Sequence, residues 1–173
     1  MRGELTEWAD AAKSGDRDAF SQLYTEIYRD LYRFAFYALG NAADAEDAVA
    51  EAVCEALYAI SGIQEPAAFK SWVFTILSRV CKRSVKRIIR ARNELEFDDL
   101  GEFEDGSELQ EALDIRSQLY VLPDADRTIV LLSVVGGYTS YEIANMLKKP
   151  AGTVRSKLSR ALNKLRTAYE ERE

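Results

Sequence analysis

Apolar side chains recur at steps of three and four along almost the whole chain, a spacing that places them on one face of an α-helix and scatters them over both faces of a strand. Phe20, Leu23, Tyr24, Ile27, Tyr28, Leu31 and Phe34 form the first such stripe, with Asp18 positioned to cap it and Gly40 to end it. A second stripe collects Ala45, Val49, Ala52, Val53, Ala56 and Ile60, and a third runs from Pro66 to about Arg92 through Phe69, Trp72, Val73, Ile76, Leu77 and Val80. The period is lost in ELEFDDLGEFEDGS, residues 94–107, which reads as an acidic linker. It resumes near Glu108 with Leu109, Leu113, Ile115, Leu119 and Leu122, and a further helix opens at Pro123 and stops at Gly136 and Gly137. Thr139 with Glu142 three residues on is a capping-box signature for a short helix, and a break at Lys149 and Pro150 leads into a last one carrying Val154, Leu158, Ala161, Leu162 and Leu165. The expected fold is therefore all-α, with two small helical domains, residues 1–93 and 108–173, joined by an acidic linker, residues 94–107. The second domain is a helix-turn-helix.

Composition narrows the chemistry. The 173 residues contain no histidine, which removes the commonest general base and metal ligand, and the two cysteines, Cys54 and Cys81, have no CxxC spacing. No glycine-rich phosphate loop or metal-ligand cluster is present, so neither an enzyme nor a metal or cofactor is indicated. No apolar run approaches the ~18 residues of a membrane span, and the N-terminal MRGELTEWADAAK is acidic and amphipathic where a signal peptide would be apolar. A cytoplasmic protein is expected.

The net charge of −6, taken whole, speaks against a nucleic-acid partner, but it is unevenly distributed. Residues 1–65 are net −8, residues 66–93 carry 8 basic and no acidic side chains, residues 94–126 are net −11, and residues 127–173 are net +5. Two basic blocks flanking an acidic one indicate contact with a polyanion, the competing reading being that each is a solvated helix face. The second block coincides with the helix-turn-helix, whose last helix turns Arg155, Ser156, Lys157, Ser159, Arg160 and Lys164 outward. These are side chains that bond phosphates and base edges, and a second helix of this kind enters the major groove.

At this point the chain resembles a known family, the small bacterial sigma factors of the extracytoplasmic-function group. LPDADR (122–127), GGYTSYEIANML (136–147) and PAGTVRSKLSRALNKLR (150–166) are similar to the domain that reads the minus-thirty-five promoter element. DAFSQLYTEIYRDLYRFAFYAL, ADAEDAVAEAV and AFKSWVFTILSRVCKRSVKR resemble the domain that grips RNA polymerase and opens the minus-ten element. The resemblance implies minus-thirty-five contacts from Thr139, Ser140, Tyr141 and Thr153, beside the outward residues of the last helix. It implies minus-ten contacts from Ser61, Gln64, Phe69, Lys70, Trp72, Arg79, Lys82, Arg83, Lys86 and Arg87, although Trp72 shares a stripe with Phe69 and Ile76 and reads equally as core. For core polymerase, the clamp helices of its largest subunits would meet Asp44, Glu46, Asp47, Ala50, Glu51 and Glu55, and its flap would hold the C-terminal domain. An ordinary solvated acidic face is the alternative for the second helix, and a plain tether is the alternative for a linker that the resemblance threads near the RNA exit path.

Promoter DNA and core polymerase are thus the implied partners, and control by an anti-sigma factor is common in the family. Two features depart from its pattern. Arg79 and Arg83 stand where Asn and Asp are frequent, and Ala50 and Cys54 stand where Gln and Phe are common, Cys54 being expected in the core. The alternative function is a helix-turn-helix regulator that binds duplex DNA without polymerase, which would have no use for an acidic helix beside a basic, aromatic one.

Overall fold

The computed structural model describes residues 2–94, 115 and 117–170. The linker beyond Glu94 and most of the helix expected from Glu108 lie outside these residues. Among the described residues every regular element is helical: α1 (Arg2–Lys13), α2 (Arg17–Leu39), α3 (Ala42–Ala59), 3-10 turns at Ile60–Gly62 and Pro66–Ala68, α4 (Phe69–Glu94), α5 (Asp124–Val134), α6 (Ser140–Leu147) and α7 (Ala151–Glu170). None of them is long and apolar enough to cross a membrane.

Helix ends follow side-chain chemistry. The cap of α2 is Asp16 and not Asp18: the Asp16 carboxylate accepts the N–H groups of Asp18 and Ala19 at 2.9 and 3.0 Å. Asp18 lies in the first turn, where its charge meets the positive end of the helix dipole. Gly40 ends α2 in the left-handed conformation, φ 89°, and its N–H reaches the Phe36 carbonyl. Asn41 then caps α3 by accepting the Asp44 N–H at 2.7 Å. The helix expected from Pro66 opens as a 3-10 turn, with α-helical bonding from Phe69.

Helices α1 to α4 enclose an aromatic and aliphatic core in which Phe34 and Phe74 meet edge to face at 5.7 Å and Phe20 meets Phe69 at 6.1 Å. The apolar stripes leave out α1, although its segment reads as amphipathic: its inward face is Leu5, Trp8, Ala9 and Ala12 at steps of one, three and four, the alanines buried and the two larger side chains half-buried. Of the described residues, four expected on the inward stripes lie outside, Tyr28 and Ile115 among them. Cys54 is exposed because Ala52, Val53 and Ala56 fill the inward arc of α3, and each further residue turns about 100°. Leu162 is exposed because Ala161 takes the inward place on α7.

The second bundle packs Ile129 and Leu132 of α5 against Ile143 of α6 and Val154 of α7. It is continuous with the first: α5 touches α2 and α4, and α6 touches α4. The Tyr138 ring lies edge-on to Phe74 at 5.6 Å, and the Tyr120 hydroxyl donates to the Leu39 carbonyl at 3.1 Å.

Arg127 holds the approach to α5. Buried to 6% exposure, it donates from Nε to the Leu119 carbonyl and from Nη2 to the Leu122 carbonyl, pairs with Asp124 at 3.2 Å and stacks on Tyr120 at 4.2 Å. A planar fork serves all four partners, which an ammonium cannot. Arg127→Met leaves the Leu122 carbonyl without its donor, while the Leu119 carbonyl keeps the Leu122 N–H at 3.1 Å, and is expected to lower the unfolding free energy by about 1–3 kcal/mol in urea titration, Arg127→Lys recovering less than half.

Candidate nucleic-acid and partner interfaces

The helix-turn-helix is built as its capping box requires. Thr139 Oγ1 accepts the Glu142 N–H at 3.3 Å while the Thr139 N–H donates to Glu142 Oε2 at 2.8 Å, which fixes the start of α6. Lys148, at φ 52°, reverses the chain, and Ile143, Ala144 and Val154 lock α6 against α7. The Thr139 hydroxyl also donates to Glu142 Oε2, so it belongs to the cap, whereas Tyr141 projects at 68% exposure beside the half-buried Ser140.

On α7 the structure divides the expected contact set. Thr153, Arg155, Ser156, Ser159 and Arg160 are exposed on the outward face. Lys157 turns back to pair with Asp126 of α5 at 2.6 Å, and the exposed Lys164 donates to the Val121 carbonyl at 3.0 Å. Both ammonium groups tie α7 to the segment ahead of it and to α5. Asp126 lies in the DADR stretch, but a contact across 31 residues leaves no local signal.

The first bundle presents two faces of opposite sign side by side. On α3, Asp44, Asp47, Glu51 and Glu55 succeed one another at three and four residues, with the exposed Glu46 and Ala50 on the adjoining row. Asp44 is committed in part to the helix start, where Asn41 Nδ2 bonds its carboxylate. On α4, Arg79, Lys82, Arg83, Lys86 and Arg87 are exposed at the same spacing, and Arg87 also donates to Ser84 Oγ at 3.2 Å. Arg83 reaches across to α3, its Nη2 donating to Glu51 at 3.0 Å and to Glu55 at 2.5 Å. The hydrogen bonds it donates to Glu51 and then Glu55 hold its guanidinium above the usual arginine range. The departure from Asp at this position thus has a physical counterpart, since α3 supplies two carboxylates to receive a cation.

The remaining residues frame the start of α4. Ser61 and Gln64 are exposed in the loop, Gln64 bonding the Gly62 carbonyl at 3.1 Å. Phe69 is buried against Phe20, so it supports this corner from within, while the half-buried Trp72 lies against it at 6.1 Å. Lys70 is oriented by Asp30 of α2 at 2.7 Å, a partner 40 residues away that sequence reasoning missed.

Cys81 faces the core of this bundle, and burial, with the Glu51 carboxylate adding to it, pushes its thiol up to about 12. The unfolded chain ionises this thiol from about 9, so the stability it contributes is complete below that pH and declines as pH rises from about 9 to about 12.

Comparison with known proteins matches the two bundles to two halves of one family. Sigma-70 region 2 matches residues 23–100 and Sigma-70, region 4 matches residues 112–165. The chain is 33% identical to RNA polymerase sigma factor SigV of Bacillus subtilis (strain 168), covering 82% of this chain and 86% of SigV. It is 29% identical to ECF RNA polymerase sigma factor SigM of Mycobacterium tuberculosis (strain ATCC 25618 / H37Rv), covering 88% of this chain and 78% of SigM. The fold is shared with CnrH, solved in complex with the cytosolic domain of CnrY, at a TM-score of 0.80 and 22% identity over 98% of this chain and 99% of that one.

Two outcomes are expected from these surfaces. Arg155→Ala and Arg160→Ala weaken binding to duplex DNA and flatten its salt dependence by about 0.9 for each phosphate no longer neutralised, whereas Lys157→Ala and Lys164→Ala lower the melting temperature and leave the slope within half that amount. Iodoacetamide at pH 8 alkylates Cys54 in the native protein and leaves Cys81 unmodified by mass spectrometry until denaturant is added.

Proposed function

The chain belongs to the extracytoplasmic-function group of sigma-70 factors, and from that premise we propose that it binds core RNA polymerase and directs initiation at promoters, recognising the minus-ten element with residues 1–93 and the minus-thirty-five element with residues 108–173 across the acidic linker. The observation that carries this reading is the acidic α3 face lying beside the basic α4 face in one bundle, with a helix-turn-helix in the other. A regulator acting on duplex DNA alone needs the helix-turn-helix and has no use for α3.

In this reading Asp47, Glu51, Glu55 and Glu46 meet Arg and Lys side chains of the polymerase clamp, with Asp44 and Ala50 at the edge of the contact, and the flap holds the second bundle. Ser61, Gln64, Lys70 and Trp72 frame the capture of unstacked non-template bases on the shelf that Phe69 supports. Arg79, Lys82, Arg83, Lys86 and Arg87 follow the phosphates. Arg155, Ser156, Ser159, Arg160 and Thr153 enter the major groove, with Ser140 and Tyr141 approaching from the start of α6. Thr139, Lys157 and Lys164 set the pose of the recognition helix. The protein contributes recognition and strand opening, with no chemistry of its own, and acts in the cytoplasm, with an anti-sigma factor as a further partner.

Promoter geometry adds a demand. Elements centred about 25 base pairs apart are separated by about 85 Å along B-form DNA. Tyr138 and Phe74 are in ring contact, so the two bundles separate when both elements are engaged.

Reconstitution with core polymerase on fragmented genomic DNA, followed by sequencing of transcript starts, is expected to return one promoter class with two conserved elements. Asp47→Lys with Glu51→Lys is expected to reduce polymerase capture at least tenfold while duplex DNA binding by the free protein is retained. Capture equal to that of the parent overturns the polymerase-facing assignment of α3, and initiation without sequence preference overturns the promoter assignment.

A further inference from the structure

We infer that Arg83 is a masked nucleic-acid contact: in the free protein Glu51 and Glu55 hold its guanidinium, and engagement of those carboxylates by another cation releases it to the basic stripe of α4. This rests on the reading of α3 as the polymerase face and assigns one side chain the coupling between the two surfaces.

The geometry supplies each part. Glu51 and Glu55 lie one turn apart on α3, so their charges repel at four-residue spacing, and a single guanidinium placed between them offsets that repulsion. Arg83 is itself one turn from Arg79 and from Arg87 on the exposed face of α4, so the bridge removes a cation from the middle of a phosphate-facing row. Held, it lowers the positive potential of that row and also neutralises one of the two carboxylates that a partner would need.

Exchange is accessible energetically. The side chains of Arg83, Glu51 and Glu55 are 51%, 42% and 39% exposed, and ion pairs in that environment are weak enough to be traded for others. A cation from polymerase that takes Glu51 or Glu55 leaves Arg83 without its counter-charge, and the nearest available anion on a promoter is a backbone phosphate. By linkage the coupling is reciprocal: phosphate on Arg83 frees the carboxylates for polymerase to the same degree. Free protein is thereby held back from DNA and becomes competent as it assembles.

The test uses the full-length protein without polymerase and a fluorescein-labelled, random-sequence single-stranded 20-mer, read by anisotropy across a salt series. Glu51→Gln with Glu55→Gln is expected to bind roughly two- to fivefold tighter, with a salt slope steeper by about 0.7, as one exposed ion pair is exchanged for one phosphate contact. Adding Arg83→Gln to that variant is expected to abolish the gain in both affinity and slope. Glu46→Gln with Asp47→Asn, which removes the same charge from α3 without touching the bridge, is expected to leave the slope unchanged. A gain that persists in the Arg83→Gln background, or an equal gain from the control pair, means that net charge alone is acting and overturns the proposal, as does the absence of any gain. Capture of core polymerase by Arg83→Gln, expected to exceed that of the parent, reads the polymerase face separately. Failure of the parent to capture polymerase would remove the assignment of α3 while leaving the masking result on DNA intact.

Discussion

The ring of Phe74 is the contact on which the rest of the arrangement depends. Fully buried on α4, it meets Phe34 of α2 edge to face on one side and Tyr138, just ahead of the helix-turn-helix, on another, with the Lys70 ammonium 5.9 Å from its centroid. One side chain therefore joins the α2–α4 packing, the seam between the bundles and the cation at the start of α4. The seam carries a polar group: the Tyr138 hydroxyl is buried without a hydrogen-bond partner, and burial followed by the Glu142 and Asp30 carboxylates pushes its phenol well above the ordinary range. An orphaned hydroxyl costs on the order of 1–3 kcal/mol, which offsets part of what the apolar contact contributes.

Charge is handled differently in the two bundles. In the second, Lys157 and Lys164 are used internally, fastening the recognition helix so that Arg155 and Arg160 are presented from a fixed frame. Preorganisation of that kind reduces the ordering that binding would otherwise require. In the first, the cross-helix bridge of Arg83 joins surfaces of opposite sign and leaves both incompletely satisfied. The overall charge of −6 therefore describes neither bundle, and a basic block in the sequence is an upper limit on the cations a surface offers.

Much of the fold was legible because helical periodicity is local. The stripes of α2, α3 and α4, the Gly40 stop and the Thr139–Glu142 box depend on residues three or four apart, and all appear in the structure. The exceptions have local causes as well: Asp16 lies nearer than Asp18 to the free N–H groups, and Cys54 falls just beyond an inward arc already filled. The candidate surfaces were legible to a lesser degree. Residue type and spacing identified the acidic and basic rows, but not which members are engaged within the protein, since Lys157, Lys164, Lys70 and Arg83 find their partners 31, 43, 40, and 32 and 28 residues away.

By itself the sequence determined an all-helical chain, the ends of most helices and the separation of charge into blocks, because each is set by neighbours within about one turn. The tertiary structure alone decided which cations are used inside the protein, that Phe69 lies in the core while Trp72 stays half-buried against it, and that the bundles meet at Phe74 and Tyr138. Those outcomes depend on distances between elements far apart along the chain, and a long flexible side chain takes whichever opposite charge or carbonyl the packing brings within reach.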